Sequence, residues 1–236
     1  KVDNPFDAYA ENPFAMPLGR KVAEEDICEA DVVIYVISRI SGEGKARRKV
    51  KGDYYLSERE EEDLRYLAEM HKPVILILNA GGPVELTDIL EQTDNIKGIL
   101  NISQLGQEGG DALADVLLGK EVPGGKLTTT WARRYEDYPA SEEYGYLNGN
   151  LEKEKYKEGI YVGYRYFDSF DKKVMFPFGF GLSYTMFEMK CCSINMEESK
   201  IRAEVQVTNT GNEYAGKEVV QIYVTLPQTE LEKEYK

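Results

Sequence analysis

The sequence predicts an α/β fold: a layered α/β sandwich with a mostly parallel sheet, followed by a partial antiparallel β-sandwich segment. Three observations predict it. "DVVIYVIS" (Asp31–Ser38), "PVILILNA" (Pro73–Ala80) and "IKGILNIS" (Ile96–Ser103) are short, continuous apolar runs rich in β-branched residues, the pattern of strands covered on both faces. Helix signals alternate with them, as a layered structure requires. Beyond about Lys120 the texture changes, and from Met186 the runs alternate like strands with one solvated face.

The elements follow in order. "KVDNPFDAYAENPF" opens the chain without Met and with no apolar leader, so it is expected to lie inside a longer protein. After the first strand, "SEREEEDLRYLAEMH" carries a capping box, with Ser57 as N-cap and Glu60 reaching back. After the third strand, "GQEGGDALADVLLGK" places Ala112, Leu113, Val116 and Leu117 on one helical face before Gly119 stops it. "VPGGKLTTTW" turns and then extends, and residues 137–180 are crowded with Tyr, Gly and Phe. "FEMKCCSIN", "KIRAEVQVTNTG" and "GKEVVQIYVT" then read as strands, with a turn at "NTGN". A complete sandwich needs about seven strands, so this last part is expected to be truncated. The expected organisation is a leading segment at 1–30, an α/β sandwich domain at 31–185 and the start of a β-sandwich at 186–236.

Composition excludes several classes of function. The chain has 236 residues, 42% of them hydrophobic, enough for a sizeable core. A net charge of −13 disfavours nucleic acid and anionic membrane as partners. No apolar run approaches the length of a membrane span. Cys28, Cys191 and Cys192 give neither a disulfide framework nor a CxxC motif, so no metal site and a reducing, cytoplasmic location are expected. His71 is the sole histidine, placed at a helix end, where it suits the helix dipole better than a Ser-His or Cys-His mechanism.

The stretch "SRISGEGKARRKVKGDYYLS" carries the candidate chemistry. It leaves the carboxyl end of the first strand, where open α/β sheets bind ligands. Glu43 stands there between Gly42 and Gly44. One reading is a solvated loop whose glycines merely turn the chain. A phosphate cradle fails on spacing, because Arg47 stands where a dinucleotide fingerprint needs glycine and no helix starts before Ser57. The third reading is a general acid, kept protonated by burial in a cleft. The neighbouring Lys45, Arg47 and Arg48 oppose that protonation, and the residues alone leave the choice open. Glu108 is a second glycine-flanked acid, but its position at a helix start favours the dipole.

"SGEGKARRKVKGDYYLS", "QEGGDALADVLLGKEVPGGKL", "YKEGIYVGYRYFD" and "FPFGFGLSYT", in that order, together resemble glycoside hydrolase family 3, most of whose similar members are β-glucosidases. The resemblance implies an enzyme in two parts: a (β/α)8-type domain with a nucleophilic aspartate, and an α/β sandwich that supplies the acid/base. A fibronectin type III-like domain often follows, which residues 186–236 would begin. The family pattern S-G-E-G-x-D-R falls on Glu43, with Ala46 in place of its Asp, which puts the order of the loop in question. Arg39 and Arg47 then become candidates to bind sugar hydroxyls or to brace the loop. Trp131, Tyr144, Tyr146, Tyr161, Tyr164 and Tyr166 either stack on sugar or pack, and "GYRYFD" alternates like a strand. "FPFGFGLSYT" reads as structural, joining two domains.

The expected function is the acid/base-bearing part of a retaining β-glycosidase that acts on terminal β-glucosyl residues of a β-glucoside or oligosaccharide. No cofactor is implied, the nucleophile domain is absent from this chain, and the chain by itself is expected to be inactive. Two rivals are a non-catalytic carbohydrate-binding or interaction module of the same fold and, disfavoured by spacing, a nucleotide-using enzyme.

Overall fold

The computed structural model describes residues 20–40, 47–144, 152–153, 155–225 and 227. The chain divides into two compact units, Lys1–Gly106 with Ala132–Lys157, and Gln107–Trp131 with Glu158–Lys236.

In the first unit a short helix, α1 (Glu24–Ile27), precedes three parallel strands and two further helices. These are β1 (Val33–Ser38), α2 (Glu58–Glu69), β2 (Val74–Asn79), α3 (Thr87–Gln92) and β3 (Ile96–Asn101), with strand order β1-β2-β3. All three predicted strands form, and β1 and β2 pair in uninterrupted register from Val33–Val74 to Ser38–Asn79. The β2–β3 ladder shifts once, between Val74 and Ile75. The central strand is buried on both faces, with Val74, Leu76, Ile77 and Leu78 at 0–1% exposure. Here β1 departs from the two-sided burial expected of it. Ile37 is buried, but Ile34 and Val36 on the opposite face are about half exposed, so no layer of the described residues fully covers that face of β1.

Helix α2 starts as predicted: the Glu60 N–H donates to Ser57 Oγ at 3.2 Å, and the Ser57 N–H donates to the Glu60 carboxylate at 2.7 Å. Glu58, Glu60 and Glu61 in its first turn suit the positive end of the dipole. The helix buries Glu60, Asp63, Leu64 and Leu67, and the Tyr35 hydroxyl of β1 donates to Asp63 at 3.1 Å. It ends at Met70, and His71 follows in the left-handed region with φ 52°.

The second unit opens with α4 (Gly109–Leu117), stopped by Gly119 at φ 72°. The remaining elements are β4 (Trp131–Ala132), where the chain passes back to the first unit, then α5 (Tyr164–Ser169), β5 (Val174–Phe176), β6 (Phe187–Glu197) and β7 (Lys200–Asn209). Strands β6 and β7 form an antiparallel hairpin with one irregularity between Cys191 and Ser193. Two expectations are corrected. "GYRYFD" is the helix α5 rather than a strand, and "GKEVVQIYVT" forms no strand among the described residues. The glycines of "FPFGFGLSYT" do admit close backbone. The Gly179 N–H donates to Leu127 O at 2.7 Å, and a Cβ on Gly181 would stand 2.2 Å from the Gly125 carbonyl oxygen.

Among the described residues no helix is long and apolar enough to cross a membrane.

Candidate functional site

The carboxyl ends of the three strands form a polar edge. Asn79 Nδ2 approaches Ser38 Oγ at 3.4 Å, and the Gln104 side chain donates to Arg39 O at 3.1 Å. The chain leaves this edge at Arg39, whose backbone N–H still donates to Asn79 O at 2.9 Å. Glu43, the candidate acid, lies outside the described residues, as do its neighbours 41–46. The stems on either side are described, and both are anchored in protein.

Arg39 is 4% exposed and directs every guanidinium N–H at a protein acceptor. Nη1 and Nη2 meet the two Glu60 oxygens at 2.7 and 2.8 Å, a bidentate pair with both side chains buried. Nη1 also donates to Ser38 O at 2.8 Å, Nη2 to Tyr55 O at 3.3 Å and Nε to Asp53 O at 2.8 Å. Of the two roles open to Arg39 from sequence, these are the contacts of a brace. Glu60 therefore caps α2 and neutralises Arg39 with the same carboxylate.

The second stem is a tight turn from Arg48 to Tyr55, with Gly52 at φ 82°. Its centre is Asp53, fully buried. The Arg47 Nε–H donates to Asp53 Oδ1, Arg47 Nη2 donates to Asp53 O at 2.6 Å, and the Arg48 N–H donates to Asp53 Oδ2 at 2.6 Å. Arg47 Nη1 is buried with no hydrogen-bond acceptor among the described residues. Further along, Lys49 pairs with Glu136 and lies 5.0 Å from the centre of the Tyr135 ring. Tyr135 in turn packs edge-on against Tyr54. The Lys49 ammonium holds the Glu136 carboxyl below its usual range, whereas burial pushes Glu85 up despite the Tyr135 N–H and Arg134 that donate to it.

The sequence reading singled out Arg39, Glu43 and Arg47 but missed Asp53. The signal was present: Asp53 is the single carboxylate in a stretch holding Lys45, Arg47, Arg48, Lys49 and Lys51. The aromatic candidates that are described in the second unit fill space. Trp131 packs on Phe176, Tyr164 on Phe178, and Tyr161 and Tyr166 on Phe170. Tyr144 is exposed, and Tyr146 lies outside the described residues. Glu108 is the N-cap residue of α4, with no side-chain capping bond. Among the described residues no cluster of His, Cys, Asp and Glu is placed to hold a metal ion.

A three-stranded parallel sheet layered with helices, with a polar carboxyl edge, defines an α/β sandwich domain. Comparison with known proteins narrows the class. The family described as "Glycosyl hydrolase family 3 C-terminal domain" matches residues 8–164, more than half of the chain, and the chain belongs to that family. Beta-glucosidase A of Butyrivibrio fibrisolvens is 38% identical over 244 residues, covering 86% of this chain and 29% of the relative. Thermostable beta-glucosidase B of Acetivibrio thermocellus is 41% identical over 164 residues, covering 67% and 20%. Among solved structures, beta-glucosidase 3B of Thermotoga neapolitana in complex with alpha-D-glucose is similar at a TM-score of 0.72 and 42% identity, over 80% of this chain and 27% of that one. A beta-glucosidase of Paenibacillus barengoltzii gives 0.79 and 33%, over 89% and 25%. This chain thus spans between 20% and 29% of the length of these relatives.

Proposed function

We propose that this chain supplies the acid/base carboxylate, Glu43, to a retaining β-glucosidase. A separate (β/α)8-type domain would supply the nucleophilic aspartate and most of the glycone pocket, and β6 and β7 would begin a fibronectin type III-like domain. Retaining hydrolysis needs two carboxyls about 5–5.5 Å apart, one to attack the anomeric carbon and one to protonate the leaving oxygen. The second then acts as base toward water. Glu43 is the group this chain offers for that second role.

The reading rests on membership of the family and on the match of "SGEG" at Glu43. The observation that carries it furthest is the bracing of both stems. The described residues that flank 41–46 are held by buried partners, Arg39 by Glu60 and Arg47 by Asp53. Asp53 also bears on protonation. It engages the Arg47 guanidinium and so offsets one of the cations that would otherwise hold a nearby acid ionised.

Glu43→Ala in the full-length protein tests the assignment. Glucosides with poor leaving groups should slow by roughly 10²–10⁴-fold, and activated aryl glucosides far less, because only the former need the proton. Azide should restore part of the rate by attacking the glycosyl intermediate without a base. An equal loss on all leaving groups with no azide rescue would make Glu43 a binding or structural residue.

A further inference from the structure

We propose that Cys191 and Cys192 form a vicinal dithiol that holds one trivalent arsenical between its two sulfurs. The site is independent of the role of Glu43 and lies in the hairpin of β6 and β7 alone. Its basis is the irregularity in that hairpin. Up to Cys191 the odd-numbered residues Phe187, Met189 and Cys191 stand opposite Asn209, Val207 and Val205, while Glu188 and Lys190 face Thr208 and Gln206. Beyond it the parity is reversed: Ile194 and Met196 stand opposite Ala203 and Ile201, and Ser193 and Asn195 opposite Glu204 and Arg202. One face therefore stays apolar along the hairpin, although the two halves of β6 are out of phase by one residue. Cys192 is that residue, and it has no partner in the ladder.

An inserted residue of this kind is a β-bulge, in which two successive residues oppose one. The alternation that sends neighbouring side chains of a strand to opposite faces is thereby interrupted at the Cys191–Cys192 pair. Both thiols are free and exposed. Their S–H groups reach only backbone carbonyls, Ser193 O at 3.9 Å from Cys191 and Lys190 O at 3.7 Å from Cys192, and a thiol is a weak donor. Soft sulfur ligands suit a soft centre. A linear two-coordinate ion needs its sulfurs on opposite sides, whereas pyramidal trivalent arsenic takes both on one side of itself, as neighbouring residues offer them. With an arylarsenic(III) oxide, two S–H bonds and the arsenic–oxygen double bond break, two As–S bonds form and water leaves. Arsenic stays trivalent, so the step needs no oxidant.

Titration of the 236-residue chain with phenylarsine oxide, in buffer containing excess monothiol, tests the site. One equivalent should consume two of the three free thiols and leave Cys28, which is exposed at the end of α1. Cys191→Ser and Cys192→Ser should each weaken binding by roughly 10²–10⁴-fold, the gain that linking two binding groups gives over either one. Both side chains are exposed, so the serine variants keep the fold. Cys28→Ser should bind like wild type. Ethanedithiol should release the arsenical where the excess monothiol does not. Independent reaction of the thiols, unchanged affinity in either hairpin variant, or loss of binding in Cys28→Ser would overturn the proposal.

Discussion

Arg39 shows how much one side chain can be committed at the residue scale. Its charge is buried, its five N–H groups are occupied, and its partner Glu60 is 1% exposed. Truncating one member of such a pair leaves the other charge buried and uncompensated, which costs far more than the net worth of the pair. Glu60→Ala should therefore lower unfolding free energy by about 3–5 kcal/mol. Ser57→Ala, which removes only the cap acceptor at the same helix start, should cost about 1 kcal/mol. Equilibrium urea unfolding of the two variants measures both. In the second unit Lys126 donates to Glu218 and to Gly181 O, the latter at 2.7 Å. The Lys126 ammonium, helped by the Val219 N–H, holds the Glu218 carboxyl below its usual value. A carboxyl depressed in the folded state adds stability above its unfolded pKa and loses it as pH falls through the folded value. The second unit should thus lose stability as pH drops below about 4.3, and Lys126→Met should remove that part of the dependence. Fluorescence of Trp131, the only tryptophan and itself buried, follows this unit.

At the scale of elements, the parts legible in the sequence were those whose signal is local. The capping box of α2 needs only Ser57 and Glu60 three residues apart, and it formed as read. The β-branched runs fixed three strands to within two residues at each end. Helix α5 was misread because its six residues are too few for a period to declare itself. Tyr164 and Tyr166 on either side of Arg165 fit an alternating pattern, whereas the packing of Tyr166 on Phe170 shows the helical spacing. Residues 217–225 alternate as a strand does, yet pattern gives a period and not a partner; without a neighbouring ladder among the described residues this run forms no strand. In the candidate site, its glycines and the family pattern singled out Glu43, which lies outside the described residues. Asp53 left only a compositional signal, a lone carboxylate among five cations, because a contact made across a buried turn leaves no periodic trace. One glycine allows a direct test at this scale. Gly179 has φ 78°, and a Cβ there would meet Gln221 Nε2 at 2.0 Å. Gly179→Ala should destabilise the second unit by about 1–3 kcal/mol. Adding Gln221→Ala should recover only the steric part, and a thermal melt of both variants separates the two causes.

For the molecule as a whole, the proposed division of labour predicts that these 236 residues by themselves do not turn over an aryl β-glucoside. A carboxylate that donates a proton cannot also form the glycosyl intermediate. Measurable turnover by the purified chain, abolished by Glu43→Gln, would contradict that division. The hairpin of β6 and β7 bears on a different property of the same chain. It is eleven and ten residues long, pairs with no third strand among the described residues, and leaves Met189, Ile194, Met196, Ile201 and Val207 exposed. Open ladder edges flanked by apolar side chains are templates for another copy. At neutral pH the charge of −13 opposes such an encounter, and that opposition vanishes near the isoelectric point of about 4.7. The purified chain should accordingly be a well-behaved colloid in dilute buffer at pH 7. Added salt should weaken the repulsion between its particles by screening their charge, and light scattering should rise sharply as the solution is brought toward pH 4.7.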